Sequence, residues 1–328
     1  MIINPFKINI EDKEDYTNDD YVNIQKKLEE KSIDNLLMSH FPPKHLLYEF
    51  IDFKKRCSRG ITQKLIDISN NIFPTKNLYK IGTGEDKNCF VCCTPINHTT
   101  KHDLDDSGQK NTRYIASQSI KDYLEKTGFN GYFYLFNGGF PNPTGKEMKY
   151  AGVPYCFKIF MMLEAKKIGF NKVIWIDSAC IPIKNPVKLF EELDNNKILT
   201  SFYYINNDFE AMAFNNTIKL LNYITDTNIV NACYVSTIIF GLNFDDDVIN
   251  DMVKDYYFMV ELGTPFLSIF PEEIVLSALF NKPKYKKVLH NQDDKIIGVL
   301  HTNDDSMNIN KAKESGYWFF QRNYNNFM

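Results

Sequence analysis

The chain has 328 residues, 44% of them apolar and 14% aromatic, with a formal net charge of −3. That length suits one large domain, or a domain with an extension. The apolar share argues against a disordered chain, and the near-neutral balance leaves no general basic field to hold a nucleic-acid backbone.

The first residues, MIINPFKINIEDKEDY, contain no basic segment followed by an apolar one, so no secretory signal is expected. No apolar run approaches the roughly 20 residues that span a bilayer, and a cytoplasmic protein is the expectation. Residues 1–85 read as a helical N-terminal extension. Val22, Ile24, Leu28, Ile33, Leu36 and Leu37 recur at helical spacing, Pro42-Pro43 breaks the pattern, and further helical stretches run over 44–55 and 62–72, before Pro74.

The second unit, residues 86–328, alternates strands and helices. A strand is expected over 89–94, a polar loop over 97–110, and a helix over 112–126 closed by Gly128. A second strand follows over 131–136, then a Gly- and Pro-rich loop over 137–145 and a helix from Tyr155. Next come a strand ending at Ile176, a helix over 186–193, and strands over 197–204 and 234–243. Asp245-Asp-Asp247 and Pro271-Glu-Glu273 open helices, and a last strand runs over 296–301. This alternation predicts a mostly parallel sheet covered on both faces.

One stretch stands out, Lys172-Val-Ile-Trp-Ile-Asp-Ser-Ala-Cys-Ile-Pro182. An apolar run ends on a single acid, Asp177, so a buried strand delivers a carboxylate to the sheet edge where open α/β folds bind ligands. A carboxylate there can hold a ribose hydroxyl, a metal ion or a reacting group. Other polar clusters say less. His98 and His102 lie in the acidic loop with Asp103, Asp105 and Asp106, and read as solvated. Asp245 to Asp247 suit a helix N-terminus. The seven cysteines, an odd number spread through apolar segments, suit buried thiols better than disulfides, with the Cys89–Cys92 pair inside a strand. Asn97-His-Thr99 and Asn215-Asn-Thr217 match the N-glycosylation pattern by coincidence if the chain is not exported.

From Cys89 to about His301 the chain resembles nucleotide-sugar glycosyltransferases of the GT-A fold. The order of elements is similar to glycogenin-like transferases. Val153-Pro-Tyr-Cys-Phe-Lys158, followed by a helix and Val-Ile-Trp-Ile-Asp177-Ser, looks closer still to a set of bacterial and large-virus glycosyltransferases. The high Asn, Lys and Ile content suits an AT-rich genome such as a giant virus. The resemblance implies a Rossmann-like, mixed but mostly parallel sheet with helices on both faces. It also implies transfer of a sugar from a nucleotide-sugar donor to a hydroxyl of a glycan, protein or small acceptor. Oligomeric state stays open.

The resemblance also implies roles. Asp177 matches the first acid of the family's D-x-D motif, which holds the donor ribose and a divalent cation, expected to be Mn²⁺. Ala179 stands where the second acid belongs, so another ligand or no metal is needed. His301 matches a late metal-binding histidine. Lys158 would face the donor diphosphate as a point charge. Thr94, Asn97, Arg113 and Ser117 would line the nucleoside, and Ser178, Ser236 and Thr237 the donor. Glu272 or Glu273 would take the acceptor proton in an inverting enzyme, and the sequence does not choose between them. The missing second acid leaves a rival reading, a non-catalytic nucleotide-sugar or glycan-binding protein on the same scaffold. A nucleotidyltransferase is a weaker rival, because no Gly-rich phosphate loop follows Thr94.

Overall fold

A computed structural model describes residues 75–94, 112–137, 153, 155–203, 209, 212–268, 270–291, 299–300 and 309–322. The helices expected over 19–37, 44–55 and 62–72, and the loop over 97–110, lie outside the described residues.

Among the described residues the main sheet has seven strands. In chain order they are β1 (Thr75–Ile81), β2 (Asn88–Thr94), β3 (Gly131–Asn137), β4 (Lys172–Ile176), β6 (Ile198–Tyr203), β7 (Tyr234–Asn243) and β8 (Leu289–Asn291), arranged β1-β3-β2-β4-β7-β6-β8. β2 is parallel to both β3 and β4, and β6 is parallel to β8; β1 and β7 run against their neighbours. Five strands therefore share one direction, as the sequence pattern predicts. The central strands are largely apolar because both faces are covered: every residue of β2 is buried.

Two cores follow from the two faces. Helix α1 (Thr112–Lys126) and helix α3 (Val187–Asn195) cover Phe90, Phe133, Ile174 and Ile176 on one face. Helix α2 (Phe157–Lys167) covers Val91, Val173 and Trp175 on the other. Helices α4 (Asn215–Thr225), α5 (Asp247–Leu262) and α6 (Pro271–Asn281) extend that second core. The β2–α1–β3 connection thus leaves on one face and β3–α2–β4 returns on the other, passing β2. The carboxyl ends of β2 and β4 flank the point where the winding reverses, the usual ligand position in such folds.

Three features differ from the sequence reading or settle it. Residues 75–81 fall inside the region read as a helical extension, yet form the edge strand β1. Asn77, Tyr79 and Ile81 turn inward, with Tyr79 stacked on Phe133 at 6.1 Å, while Lys76, Leu78 and Lys80 face out. Such period-two alternation in a polar heptapeptide is weak evidence on its own. The strand expected over 296–301 is described only at Val299–Leu300 (β9), and it is not the last. It joins β5 (Cys180–Pro182) and β10 (Phe319–Gln321) in a small second sheet, β5-β10-β9. Gly241 lies in mid-strand, where a Cβ would meet Leu193 at 3.0 Å and Ile174 at 3.1 Å, so its smallness serves close packing of strand and helix there.

The C-terminal strand is braced across the molecule. The Arg322 backbone N–H donates to the Ala179 carbonyl at 3.0 Å. Its guanidinium donates to the same carbonyl at 3.3 Å, to Ser119 Oγ at 2.7 Å and to the Ala116 carbonyl at 3.1 Å, and stacks over Tyr123. The described cysteines, Cys89, Cys92, Cys93, Cys156, Cys180 and Cys233, are buried and none of them is in a disulfide. Cys89 packs into one core and Cys92 into the other, so the C-x-x-C pair faces opposite sides of the sheet. Asp246 caps α5, accepting from Val248 N–H at 2.8 Å, as expected for that acidic run. Thr217 of the Asn-Asn-Thr motif is buried in α4, donating to the Thr264 and Leu267 carbonyls.

Candidate functional site

Asp177 extends the ladder of β4 by one residue. Its N–H donates to the Ile238 carbonyl at 2.9 Å, and its own carbonyl accepts from Cys180 N–H at 2.9 Å, closing a tight turn. The backbone is therefore fixed on both sides of the acid. Trp175, two residues earlier, points to the same face because strand side chains alternate. Its indole N–H donates to Asp177 Oδ1 at 2.6 Å, while the ring itself is 2% exposed. The Asp177 side chain remains 33% exposed, and Oδ2 has no partner among the described residues.

Lys158 sits in the first turn of α2, a helix buried on nearly all sides; the Tyr256 hydroxyl ties down the helix entrance through the Cys156 carbonyl at 2.8 Å. The lysine is 4% exposed. Its Nζ lies 3.0 Å from Asp177 Oδ1 and 3.1 Å from Glu272 Oε1, and donates to the Thr237 carbonyl at 3.0 Å and Thr237 Oγ1 at 3.2 Å. Burial alone would lower its pKa, but Asp177, Glu272 and Glu273 together outweigh burial and hold it above the ordinary lysine value. Four acceptors surround three N–H bonds, so the ammonium is fully engaged inside the protein. The sequence reading aimed this charge at a donor diphosphate; in the structure it orients the acid that faces outward.

The second wall is the start of α6 against β7. Pro271 opens the helix, and Glu272 and Glu273 occupy its first turn, where the helix dipole favours acids. Glu272 pairs with Lys158. Glu273 accepts from the Tyr234 hydroxyl through Oε2. The Thr237 hydroxyl stands 3.3 Å from Glu272 Oε1 and 3.4 Å from Glu273 Oε1. Burial first, and then the charge of Glu272, push Glu273 up to about 7, against the opposing influence of Tyr234, Lys158 and Thr237. The two glutamates that sequence leaves equivalent are thus different: Glu272 is the counter-ion of Lys158, and burial holds Glu273 above the ordinary carboxylate range.

The remaining expected residues divide. Thr94 and Ser117 are both buried and bond to each other at 2.8 Å, tying β2 to α1 instead of lining an opening. Ser178 and Ser236 are half-buried at the same edge as Asp177, and the Ser236 carbonyl accepts from Thr200 Oγ1 at 2.9 Å. Asn97 and His301 lie outside the described residues, as does the Arg113 side chain. Trp175 and Tyr234 were not singled out by sequence. The W-x-D spacing could have found the first; nothing local marks the second.

A divalent cation bound through oxygens needs about six ligands. Ala179 is buried and carries none, and Asp177 offers one open oxygen. Among the described residues no group of three or more His, Cys, Asp or Glu side chains is placed to hold a metal. Asp177 would supply one oxygen to such an ion, and His301, the other expected ligand, lies outside the described residues. Among them, no helix is long and apolar enough to cross a membrane.

No protein-family model matches the chain, and no curated protein matches it by sequence. Three solved glycosyltransferases are similar in structure. The bifunctional glycosyltransferase WbbM aligns with TM-score 0.44 and 10% identity, over 73% of this chain and 46% of its own, so this chain spans less than half of WbbM. Galactosyltransferase LgtC aligns with TM-score 0.39 and 11% identity, over 71% of this chain and 86% of its own. Mouse xyloside xylosyltransferase 1 aligns with TM-score 0.32 and 12% identity, over 65% and 74%. At these scores the likeness assigns neither donor nor acceptor.

Proposed function

We propose that this chain is a glycosyltransferase of the GT-A type, moving a sugar from a nucleotide-sugar donor to a hydroxyl acceptor. The observation that carries the reading is Asp177: a part-exposed carboxylate, at the carboxyl edge of the sheet, fixed through Oδ1 by Trp175 and Lys158. The strand-to-acid passage and the Val153–Lys158 segment, which resemble that family, support it, because here the two segments meet at one ion pair. Asp177 Oδ2 binds a donor hydroxyl, Ser178 and Ser236 sit beside it, and Lys158, Thr237 and Glu272 hold it in place. A charged hydrogen bond aimed at a polar ligand from a preorganised site is the type of contact that stabilises a reacting complex.

The test is release of nucleoside phosphate from a panel of UDP-, GDP-, dTDP- and CMP-sugars, with and without Mn²⁺, alongside calorimetry. Hydrolysis or transfer lost in Asp177→Asn supports the reading. A chain that neither binds nor cleaves any of these donors ends it. The buried Ala179 in place of a second acid favours a second reading, a non-catalytic nucleotide-sugar or glycan binder. Tight donor binding with no turnover selects that one.

A further inference from the structure

Three carboxylates and one ammonium converge where β4, β7, α2 and α6 meet, and the charges do not balance. With all groups ionised, Lys158, Asp177, Glu272 and Glu273 sum to −2; with one carboxyl protonated, to −1. Asp177 and Glu272 contact the ammonium directly, at 3.0 and 3.1 Å. Glu273 does not. Its oxygens meet two neutral hydroxyls on β7, Tyr234 and Thr237.

We propose that Glu273 carries the exchangeable proton of this cluster and, through Thr237, sets the charge and hydrogen bonding around the Lys158–Asp177 pair, with Tyr234 as the positioning residue that holds it. The Thr237 hydroxyl has one hydrogen and two carboxylates in reach, Glu272 at 3.3 Å and Glu273 at 3.4 Å. When Glu273 is protonated, it donates to Thr237 Oγ1, and the threonine hydrogen goes to Glu272. When Glu273 is ionised, it draws the threonine hydrogen to itself, and Glu272 relies on Lys158 alone. A proton on one glutamate thereby changes how tightly the ammonium is shared with Asp177. The groups facing Glu273 are Glu272 on its own helix, Tyr234 and Thr237 on β7 and Lys158 on α2, with Asp177 at the end of β4 beyond the lysine. Its raised value, about 7, places the change within the physiological range. The use of this proton in donor binding rests on the glycosyl-transfer reading. An anionic diphosphate then binds best to the protonated cluster, and its affinity falls by up to about tenfold per pH unit on the alkaline side.

The proton itself is testable without any donor. Trp175 lies 5.4 Å from Lys158 Nζ and donates to Asp177, and it is one of two tryptophans in the chain. In the full chain carrying Trp318→Phe, Trp175 fluorescence followed from pH 5.5 to 8.5 should show one transition near pH 7. The transition should vanish in Glu273→Gln. It should move to higher pH in Tyr234→Phe, because the tyrosine hydroxyl lowers the glutamate's value. Should the Gln variant fail to fold by circular dichroism, the direction of the Tyr234→Phe shift decides. A flat parent titration, or one unchanged by both substitutions, overturns the inference. The shift without any donor turnover leaves the inference standing and counts against the transferase.

Discussion

β2 and β4 are neighbours that end at the same edge of the sheet, and they end in opposite ways. β2 closes on Thr94, whose hydroxyl is sunk onto Ser117 in a neutral, buried pair. β4 closes on Asp177, which keeps a part-exposed charge and recruits a buried ammonium, an indole N–H and two further acids. A neutral hydroxyl is satisfied by one partner. A carboxylate needs a counter-charge, and burying that counter-charge requires further acceptors around it. Among the described residues, charged side chains are therefore gathered around one terminus and a neutral hydroxyl pair closes the other.

The comparison breaks most sharply at Lys158. Lys158→Met keeps the apolar stem but leaves Asp177 and Glu272 without their ammonium. Losing one member of a buried ion pair costs about 3–5 kcal/mol, to be read as a lowered denaturation midpoint, with donor cleavage lost as well. Asp177→Asn keeps acceptor geometry toward Trp175 and Lys158 and removes the outward charge. Donor turnover should fall on the order of 10²–10³-fold, the scale of one preorganised electrostatic contact, with the thermal midpoint moving far less than for Lys158→Met. If stability and turnover fall together, Asp177 is a structural acid after all.

pH sharpens the contrast next. The folded state holds the Glu273 proton up to about 7 while the unfolded chain releases it near the ordinary glutamate value, 4.5. The folded state thus binds the extra proton between these values. This group contributes stability that is fully present below pH 4.5 and is lost as pH rises through 7. Thermal midpoints of the parent should decline across that window by a few degrees more than those of Glu273→Gln. The smallest effect belongs to β2. Thr94→Val loses one neutral buried hydrogen bond, about 1 kcal/mol, and should leave donor affinity unchanged. A marked loss of donor binding would mean that the two strand ends share a ligand.

The parts legible in the sequence are those written as uninterrupted burial. β2, β3, β4 and β7 are central, so their apolar runs survive in the residues, and Asp177 is visible as the break in such a run. The helix over Asn215–Thr225 went unread because its first turn looks like an Asn-rich surface motif, while Thr217 in fact points inward. β1 escaped because an edge strand with one open face carries polar residues at alternate positions. The site was half legible. Asp177 and Lys158 are marked by local context, but their pairing, and the difference between Glu272 and Glu273, arise from packing among segments about 20 to 115 residues apart. Tyr234 becomes a site residue only when α6 is laid against β7.

The Arg322 brace has a consequence for the order in which this protein is made. The Ala179 carbonyl, two residues beyond Asp177, is capped by a residue 143 positions later in the chain. During synthesis, then, the turn that presents the acid is already outside the ribosome, with its sheet partners arriving one by one, long before its final clamp has been translated. Contacts so distant along the chain form late, so a nascent polypeptide cut short before residue 322 would contain every element of the sheet and still have an unfinished acid turn.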